Sequence, residues 1–177
     1  MGIKVEYRKI NDEVLYSNGK FVGLSDAGLT FLKAQAVKNP RQRIRLCAHQ
    51  GVEDKVHEMF IVHCKDTYVR PHRHLNKTES LFLIEGEADA LFFNDDGVIV
   101  RRIEMGVAGS GKQFYYRLCE PVYHTLIIRT ERISFFEVTS GPFVAQDTQF
   151  PLWAPDGEDK PLAQEYMRGL DKQKSCA

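Results

Sequence analysis

Between residues 41 and 139, apolar and polar positions alternate in short runs of four to eight residues, many of them rich in Val, Ile, Phe and Tyr. Alternation with a period of two is typical of β-strands that bury one face. The runs predicted as strands are residues 43–49, 59–64, 67–70, 80–84, 88–93, 98–103, 113–118, 123–129 and 134–139. Turn residues separate several of these runs, so the pattern predicts an all-β barrel or sandwich.

Both flanks of this region carry a different pattern. Ser25 is placed to cap a short helix in which Leu29, Leu32 and Ala36 recur with helical spacing. The tail is loop-rich, and residues 161–169 predict a closing helix. We therefore expect an N-terminal strand and helix extension (1–40), a barrel (41–142), and a C-terminal extension that packs on the barrel (143–177).

The composition does not indicate a nucleic-acid or membrane partner. In 177 residues, 24 basic side chains balance 24 acidic ones, so no net field attracts nucleic acid or an anionic membrane. The apolar stretches are too short to span a bilayer, and the N-terminus has no apolar signal region, which predicts a cytoplasmic protein. The four cysteines form no C-x-x-C pair and are expected to be free thiols.

One constellation carries chemistry. His72 and His74 lie two residues apart in an extended segment, so their rings project to the same side. A short turn then returns Glu79 on the neighbouring strand, and His124 begins a late strand as a fourth candidate ligand. Imidazole nitrogens and a carboxylate suit one divalent transition metal, Fe, Zn, Mn or Ni, with one or two positions left for water or substrate.

The spacing H-x-H-x4-E-x6-G, formed by His72, His74, Glu79 and Gly86, resembles the first motif of the cupin superfamily, and Pro121 with His124 is similar to part of the second. Within the cupins, the chain looks like the WbuC family of cupin-fold metalloproteins. The matching features are the segments 43–49, 54–59, 71–79, 141–143 and 153–155. The resemblance implies a cupin-type barrel (a double-stranded β-helix or jelly roll), a metal site, and an association with bacterial surface-polysaccharide genes.

Around the metal motif, further side chains are candidates for binding and catalysis. Alternation puts Arg41, Arg43 and Arg45 on one strand face, which is either a solvated outer surface or a barrel mouth that grips phosphate or carboxylate. The resemblance favours the mouth. The candidate substrate-binding residues are Arg41, Arg43, Arg45, Tyr68 and Lys77. His49 and His57 are the candidate catalytic residues, as a general base or as donors that orient the ligands.

These features lead to one main hypothesis and two alternatives. The main hypothesis is a metal-dependent isomerase or epimerase acting on a small anionic sugar, either a sugar phosphate or a nucleotide-sugar, in surface-polysaccharide biosynthesis. The alternatives are an Fe(II)-dependent dioxygenase and a non-catalytic module that binds sugar or metal. The N-terminal strand and helix are candidates for a homodimer interface.

Overall fold

The fold was analysed in a computed structural model that describes residues 6–173. Its strands, numbered in chain order, are β1 (Tyr7–Lys9), β2 (Val14–Ser17), β3 (Arg43–Cys47), β4 (Val56–Cys64), β5 (Arg73–His74), β6 (Glu79–Glu85), β7 (Ala88–Phe93), β8 (Ile99–Met105), β9 (Tyr115–Leu118), β10 (Tyr123–Ile128), β11 (Arg132–Ser140) and β12 (Thr148–Gln149). The helices are α1 (Asp26–Lys38), α2 (Lys160–Lys172) and a 3₁₀ turn at Ala145–Asp147.

Two facing sheets enclose the main core. The larger sheet has the strand order β1-β2-β3-β4-β11-β6-β9, and the smaller one has the order β10-β7-β8. Neighbouring strands are antiparallel except for the parallel pair β2–β3. Buried side chains from both sheets, such as Phe135 from the larger and Phe92 from the smaller, pack into one cluster between them. The predicted all-β barrel is confirmed.

The two helices cover the outer faces of the sheets. Leu32 and Ala36 of α1 pack against Ile44 and Val62 on the larger sheet. Leu170 of α2 joins a cluster on the smaller sheet that includes residues of β7 and β10. Because β7 is covered on both sides, every one of its residues is buried, although its sequence includes an aspartate.

Side chains cap both helices at their N-termini. The Oγ of Ser25 accepts a hydrogen bond from the backbone N–H of Gly28 (3.3 Å), as the sequence predicts. The carboxylate of Asp159 accepts one from the N–H of Leu162 (3.0 Å). The predicted closing helix is confirmed, although it begins and ends a few residues outside 161–169.

The predicted strand at residues 67–70 is wrong. This segment has no strand partner, because its carbonyl groups are used by side chains instead. The Val69 carbonyl accepts from the hydroxyl of Thr125 (2.5 Å), and the Arg70 carbonyl lies 2.8 Å from Nδ1 of His72. The segment remains extended beside the histidine motif without joining a sheet.

Three of the four cysteines lie within the described residues. Cys47, Cys64 and Cys119 are free thiols, whereas Cys176 lies outside the described residues.

Neither helix between residues 6 and 173 has the length and apolarity needed to cross a bilayer. The division into segments 1–40, 41–142 and 143–177 stays a prediction, and β2 of the first segment pairs directly with β3 of the second.

Candidate metal centre

The four residues of the histidine–glutamate motif come together at one end of the space between the sheets. His72 forms an isolated bridge with His124 of β10, with N-to-O distances of 3.1 and 2.9 Å between their backbones. His74 lies on β5, and Glu79 opens β6. The backbone bridge explains why His124, distant in sequence, reaches the site that the motif begins.

The ligand atoms of these four side chains all lie within 4.8 Å of one another. The Nε2 of His74 lies 3.5 Å from Oε2 of Glu79, and the Nε2 of His124 lies 3.5 Å from Oε1 of the same carboxylate. The His72 ring completes the group, with its centroid 4.5 Å from that of His124. Such a cluster of nitrogens and one carboxylate can hold a transition-metal ion.

The second nitrogen of each ring is already engaged. Nδ1 of His72 lies 2.8 Å from the Arg70 carbonyl, and Nδ1 of His124 lies 2.9 Å from the Val122 carbonyl. Nδ1 of His74 lies 3.1 Å from the hydroxyl of Thr148. A carbonyl can only accept, so Nδ1 of His72 and of His124 carries a proton, which leaves Nε2 as the nitrogen that a metal would take. Although burial acts to lower it, Glu79 raises the pKa of His124, so a metal would displace a proton from this ring. The donor set therefore fits a metal, because the ligand atoms converge on one cluster.

Burial and neighbouring charges shift the pKa values of the ligand side chains. Burial, with a smaller effect of His124, lowers the pKa of His72 to about 3, so its ring is neutral. Burial alone would raise the pKa of Glu79, but His124, His74 and His72 together hold it well below its usual value. A neutral imidazole and an ionised carboxylate are the forms that bind metal ions.

A cavity of about 190 Å³ opens beside the cluster. Its lining includes three of the four cluster residues, His72, Glu79 and His124, together with Arg43 and Arg45. This placement supports a position at the barrel mouth, rather than on the solvated outer surface, for Arg43 and Arg45. The Arg43 guanidinium also pairs with Glu13 (2.7 Å), whereas Arg45 makes no side-chain hydrogen bond or ion pair within residues 6–173.

The third arginine lies elsewhere. Arg41 is an exposed partner of Glu13 (3.4 Å) and does not line the cavity. Its strand begins only at Arg43, so alternation does not extend back to it. The prediction that Arg41 shares the mouth with the other two is corrected.

His49 and His57 are buried but do not line the cavity. Their rings stack on each other, with centroids 4.2 Å apart and planes 4° from parallel, and Nδ1 of His49 accepts from the N–H of Glu58 (3.1 Å). Thr139 of β11 pairs with both His57 and Glu79, so a whole strand separates these two, about 10 Å at their backbones. The structure therefore places both rings outside the cavity lining, and a catalytic or ligand-orienting role for them stays a prediction.

Tyr68 and Lys77 also lie outside the cavity lining. The Tyr68 hydroxyl donates to the carbonyl of Pro155 (2.7 Å), and its ring faces a separate cleft beside α2. Because the strand expected at residues 67–70 is absent, alternation does not place Tyr68 beside the cluster, and its role in substrate binding stays a prediction. The Lys77 ammonium lies 4.6 Å over the ring of Phe143, and its role in substrate binding stays a prediction.

Three functional candidates in the cavity wall were not predicted from the sequence: Tyr116, His63 and Glu137. Burial and the nearby Glu79 raise the pKa of Glu137 well above its usual value. The available signal was the alternation along β11, in which Ile133 and Phe135 are apolar and Glu137 continues the same inward face. An acidic side chain among inward-facing apolar residues must either line a polar cavity or bond to another polar group.

The C-terminal extension crosses the site. We call residues 143–155 the C-terminal strap. Its strand β12 pairs with β5, which sets Thr148 opposite His74. Phe150 lies against the Arg70 guanidinium (4.7 Å to the ring centroid), and its ring is 6.3 Å from that of His72. The strap therefore covers one side of the cluster.

Comparisons with known proteins agree with this fold. Residues 24–105 match a family model described as a domain of unknown function (DUF6016). No curated protein matches the chain in sequence. The described structure is similar to salicylate 1,2-dioxygenase from Pseudoaminobacter salicylatoxidans in complex with gentisate, with a TM-score of 0.54 and 10% identity over 72% of this chain and 37% of that one.

Two further structures are less similar. A cupin 2 conserved barrel domain protein from Rhodopseudomonas palustris has a TM-score of 0.48 and 11% identity, over 63% of this chain and 68% of that one. The capsular polysaccharide assembling protein CapF from Staphylococcus aureus has a TM-score of 0.45 and 16% identity, over 56% of this chain and 27% of that one. The chain spans only 25% to 68% of the solved structures that it matches first.

The likeness to the dioxygenase shows a shared fold and nothing of the reaction. Together with the two facing sheets, it establishes the all-β, cupin-type barrel that the histidine motif implied, with its short N-terminal helix and its loop-rich, partly helical C-terminal extension.

Proposed function

We propose that this chain is a metal-dependent isomerase or epimerase of a small anionic sugar. One observation carries the proposal: the cluster of His72, His74, Glu79 and His124 opens into a cavity whose wall bears two arginines. A metal held by the cluster and an anionic group bound by an arginine of the same cavity would hold a substrate at two points. A surface-polysaccharide setting rests on the resemblance to the WbuC family.

The four residues would hold one divalent ion, Fe, Zn, Mn or Ni, through three imidazole nitrogens and one carboxylate. Bound there, the ion would supply a Lewis acid for a substrate carbonyl or hydroxyl, which eases proton removal from the adjacent carbon. The hydrogen bonds at Nδ1 keep the rings of His72 and His124 aimed at the cluster.

Arg45 is the better-placed anion ligand. Arg43 already shares its charge with Glu13, whereas the Arg45 guanidinium has no such partner within the described chain. A guanidinium binds phosphate or carboxylate through two parallel hydrogen bonds. Both a sugar phosphate and a nucleotide-sugar carry such an anionic group.

Proton transfer is assigned to Glu137. An isomerase needs an acid–base group within hydrogen-bond reach of the reacting carbon or of its water. Glu137 lines the same cavity as the ligands and the arginines, whereas His49 and His57 do not. Its side chain has no hydrogen-bond partner within residues 6–173, so its carboxyl is available to a ligand in the cavity.

Exchange of substrate hydrogen with solvent tests this function. Metal-loaded protein is incubated in D₂O with a set of aldose and ketose phosphates, and NMR follows deuterium at the carbon next to the carbonyl. We expect exchange with at least one sugar phosphate, and its loss in Glu137→Gln but not in the control Glu58→Gln, which alters an exposed glutamate on β4. Oxygen consumption without exchange would favour the dioxygenase, and sugar binding without either reaction would favour a binding module.

A further inference from the structure

The three histidines differ in what fixes their second nitrogen. For His72 and His124 the partner is a backbone carbonyl two residues earlier in the chain, which the local extended conformation supplies. For His74 the partner is the side chain of Thr148, which is 74 residues away in sequence and belongs to the C-terminal strap. The orientation of one metal ligand therefore depends on a segment that folds over the site from elsewhere.

The middle of the strap, residues 148–150, is held by few contacts, whereas its end is anchored by Trp153, which packs on Phe93 and Tyr123 and donates to the Asp95 carbonyl (2.9 Å). Around Thr148, the N–H of Leu75 donates to the Asp147 carbonyl (2.9 Å), and Nε of Arg73 donates to Oε1 of Gln149 (2.9 Å). Its strand has two residues, and Phe150 leaves 48% of its surface exposed. A segment with short pairing and little burial opens locally at low free-energy cost.

We propose that Thr148 is a positioning residue for the metal site, and that docking of the C-terminal strap and binding of the metal strengthen each other through its bond to His74. This inference rests on the proposed metal site. With a metal at Nε2 of His74, Nδ1 would carry the proton, and the Thr148 hydroxyl, 3.1 Å away in the docked strap, would accept it and fix the ring. When the strap is undocked, His74 loses this partner, and both its tautomer and its ring rotation become free.

The coupling works in both directions. If a docked strap raises the affinity for the metal, then a bound metal must raise the population of the docked strap by the same factor. Because the strap covers one side of the cluster, its docked population also governs access to the site. Metal loading is thereby linked to closure over the substrate.

Titration with Co(II), followed by its visible absorption, tests the positioning role. We expect Thr148→Val, which keeps the shape but loses the hydroxyl, to weaken Co(II) binding about 10-fold or more and to change the absorption spectrum. Thr148→Ser keeps a hydroxyl and should restore both. Thr130→Val is the matched control, since it removes a threonine hydroxyl that bonds Arg132 and Glu87 far from the cluster.

Hydrogen exchange tests the coupling. The amide of Leu75 bonds to the strap, so its exchange reports docking. We expect Co(II) to slow this exchange in wild type and in Thr148→Ser, but much less in Thr148→Val. Phe150→Ala loosens the strap without touching His74 and should also weaken Co(II) binding.

The outcomes separate this inference from the proposed function. If wild type binds no Co(II), both the metal site and this inference fail. If wild type and Thr148→Val bind Co(II) equally well, the metal site stands and the positioning role of Thr148 is overturned. If affinity falls in Thr148→Val but Leu75 exchange is independent of metal, the coupling is overturned.

Discussion

The Tyr116 hydroxyl donates a hydrogen bond of 3.2 Å to Oε1 of Glu79, and both side chains are buried. Burial and the adjacent carboxylate raise the pKa of Tyr116 well above its usual value, so the phenol remains a donor. The same Glu79 oxygen lies 3.5 Å from Nε2 of His124. Tyr116 therefore orients Glu79, the one carboxylate of the cluster, as backbone carbonyl groups orient His72 and His124.

Tyr116→Phe is expected to weaken metal binding about 10-fold, because loss of an outer hydrogen bond leaves the carboxylate poorly oriented. The aromatic ring, which packs edge-on against Phe92 at 5.5 Å, is retained, so thermal stability should change little. The measurement is a metal titration. Tyr115→Phe is the control, because its hydroxyl lies 3.2 Å from that of Ser80, away from the cluster. An equal loss in both variants would contradict this role for Tyr116.

Arg45→Gln is expected to weaken binding of a sugar phosphate about 10-fold to 100-fold, since a hydrogen bond to a charged group contributes about 1.5–3 kcal/mol. Metal content should not change, because Arg45 is not among the metal-ligand residues. Calorimetry with metal-loaded protein measures the binding. Arg41→Gln removes an arginine outside the cavity and should bind like wild type, whereas equal weakening in both variants would show only a general effect of charge.

His63 makes a prediction about stability and pH. Burial, helped by Arg43 and Arg41, lowers the pKa of this imidazole to about 3, whereas an unfolded histidine titrates near 6.5. Between about pH 3 and pH 6.5, His63 binds a proton in the unfolded chain but not in the folded one. The free energy of unfolding therefore decreases as the pH falls from about 6.5 towards 3.

We expect the free energy of unfolding of His63→Gln to depend less steeply on pH than that of wild type, by about 1.4 kcal/mol per pH unit between roughly pH 4 and 6. Urea unfolding at several pH values in that window measures both slopes. Parallel curves for the two proteins would mean that His63 is not neutral in the folded state.

Asp89 fastens the C-terminal helix to the smaller sheet. Its buried carboxylate accepts from Arg102 (2.7 Å) and Arg129 (2.5 Å), and Arg102 also donates to the carbonyl of Leu170 at the end of α2 (3.0 Å). Asp89→Ala leaves both guanidinium groups without this partner and should cost about 3 kcal/mol of stability.

The matched change is Asp171→Ala, which removes the second carboxylate bound to Arg129 (2.6 Å) but from a half-exposed position. An exposed pair contributes about 0–1 kcal/mol, so this variant should remain close to wild type. Chemical denaturation of both proteins decides the matter. Equal stability of the two variants would contradict the assignment of Asp89 as the buried anchor.

The sequence predicted most of the strands and both helices because their signals are local. The alternation along β7 gave its bounds without error, and Ser25 marked the start of α1. The segment at 67–70 alternates equally well, but side chains of His72 and Thr125 take its carbonyl groups. Thr125 lies 56 residues from Val69 in sequence, so periodicity does not reveal its contact.

The candidate site divides in the same way. The spacing of His72, His74 and Glu79 brought these residues together, because two strands and one turn determine their placement. Thr148 and Glu137 were missed, since their places depend on how the strap and β11 cross the barrel. His49 and His57 were misplaced, because alternation gives the face of a strand but not the distance across the sheet from Glu79.

The central claim is that His72, His74, Glu79 and His124 bind a transition metal. Elemental analysis of wild type, purified without a metal-affinity tag, tests it most directly, beside Glu79→Ala and the double variant His72→Ala with His74→Ala. We predict about one equivalent of Fe, Zn, Mn or Ni in wild type and loss of that metal in both variants, with the barrel still folded by circular dichroism. Wild type that holds no metal even after reconstitution, or variants that keep it in full, would contradict the account.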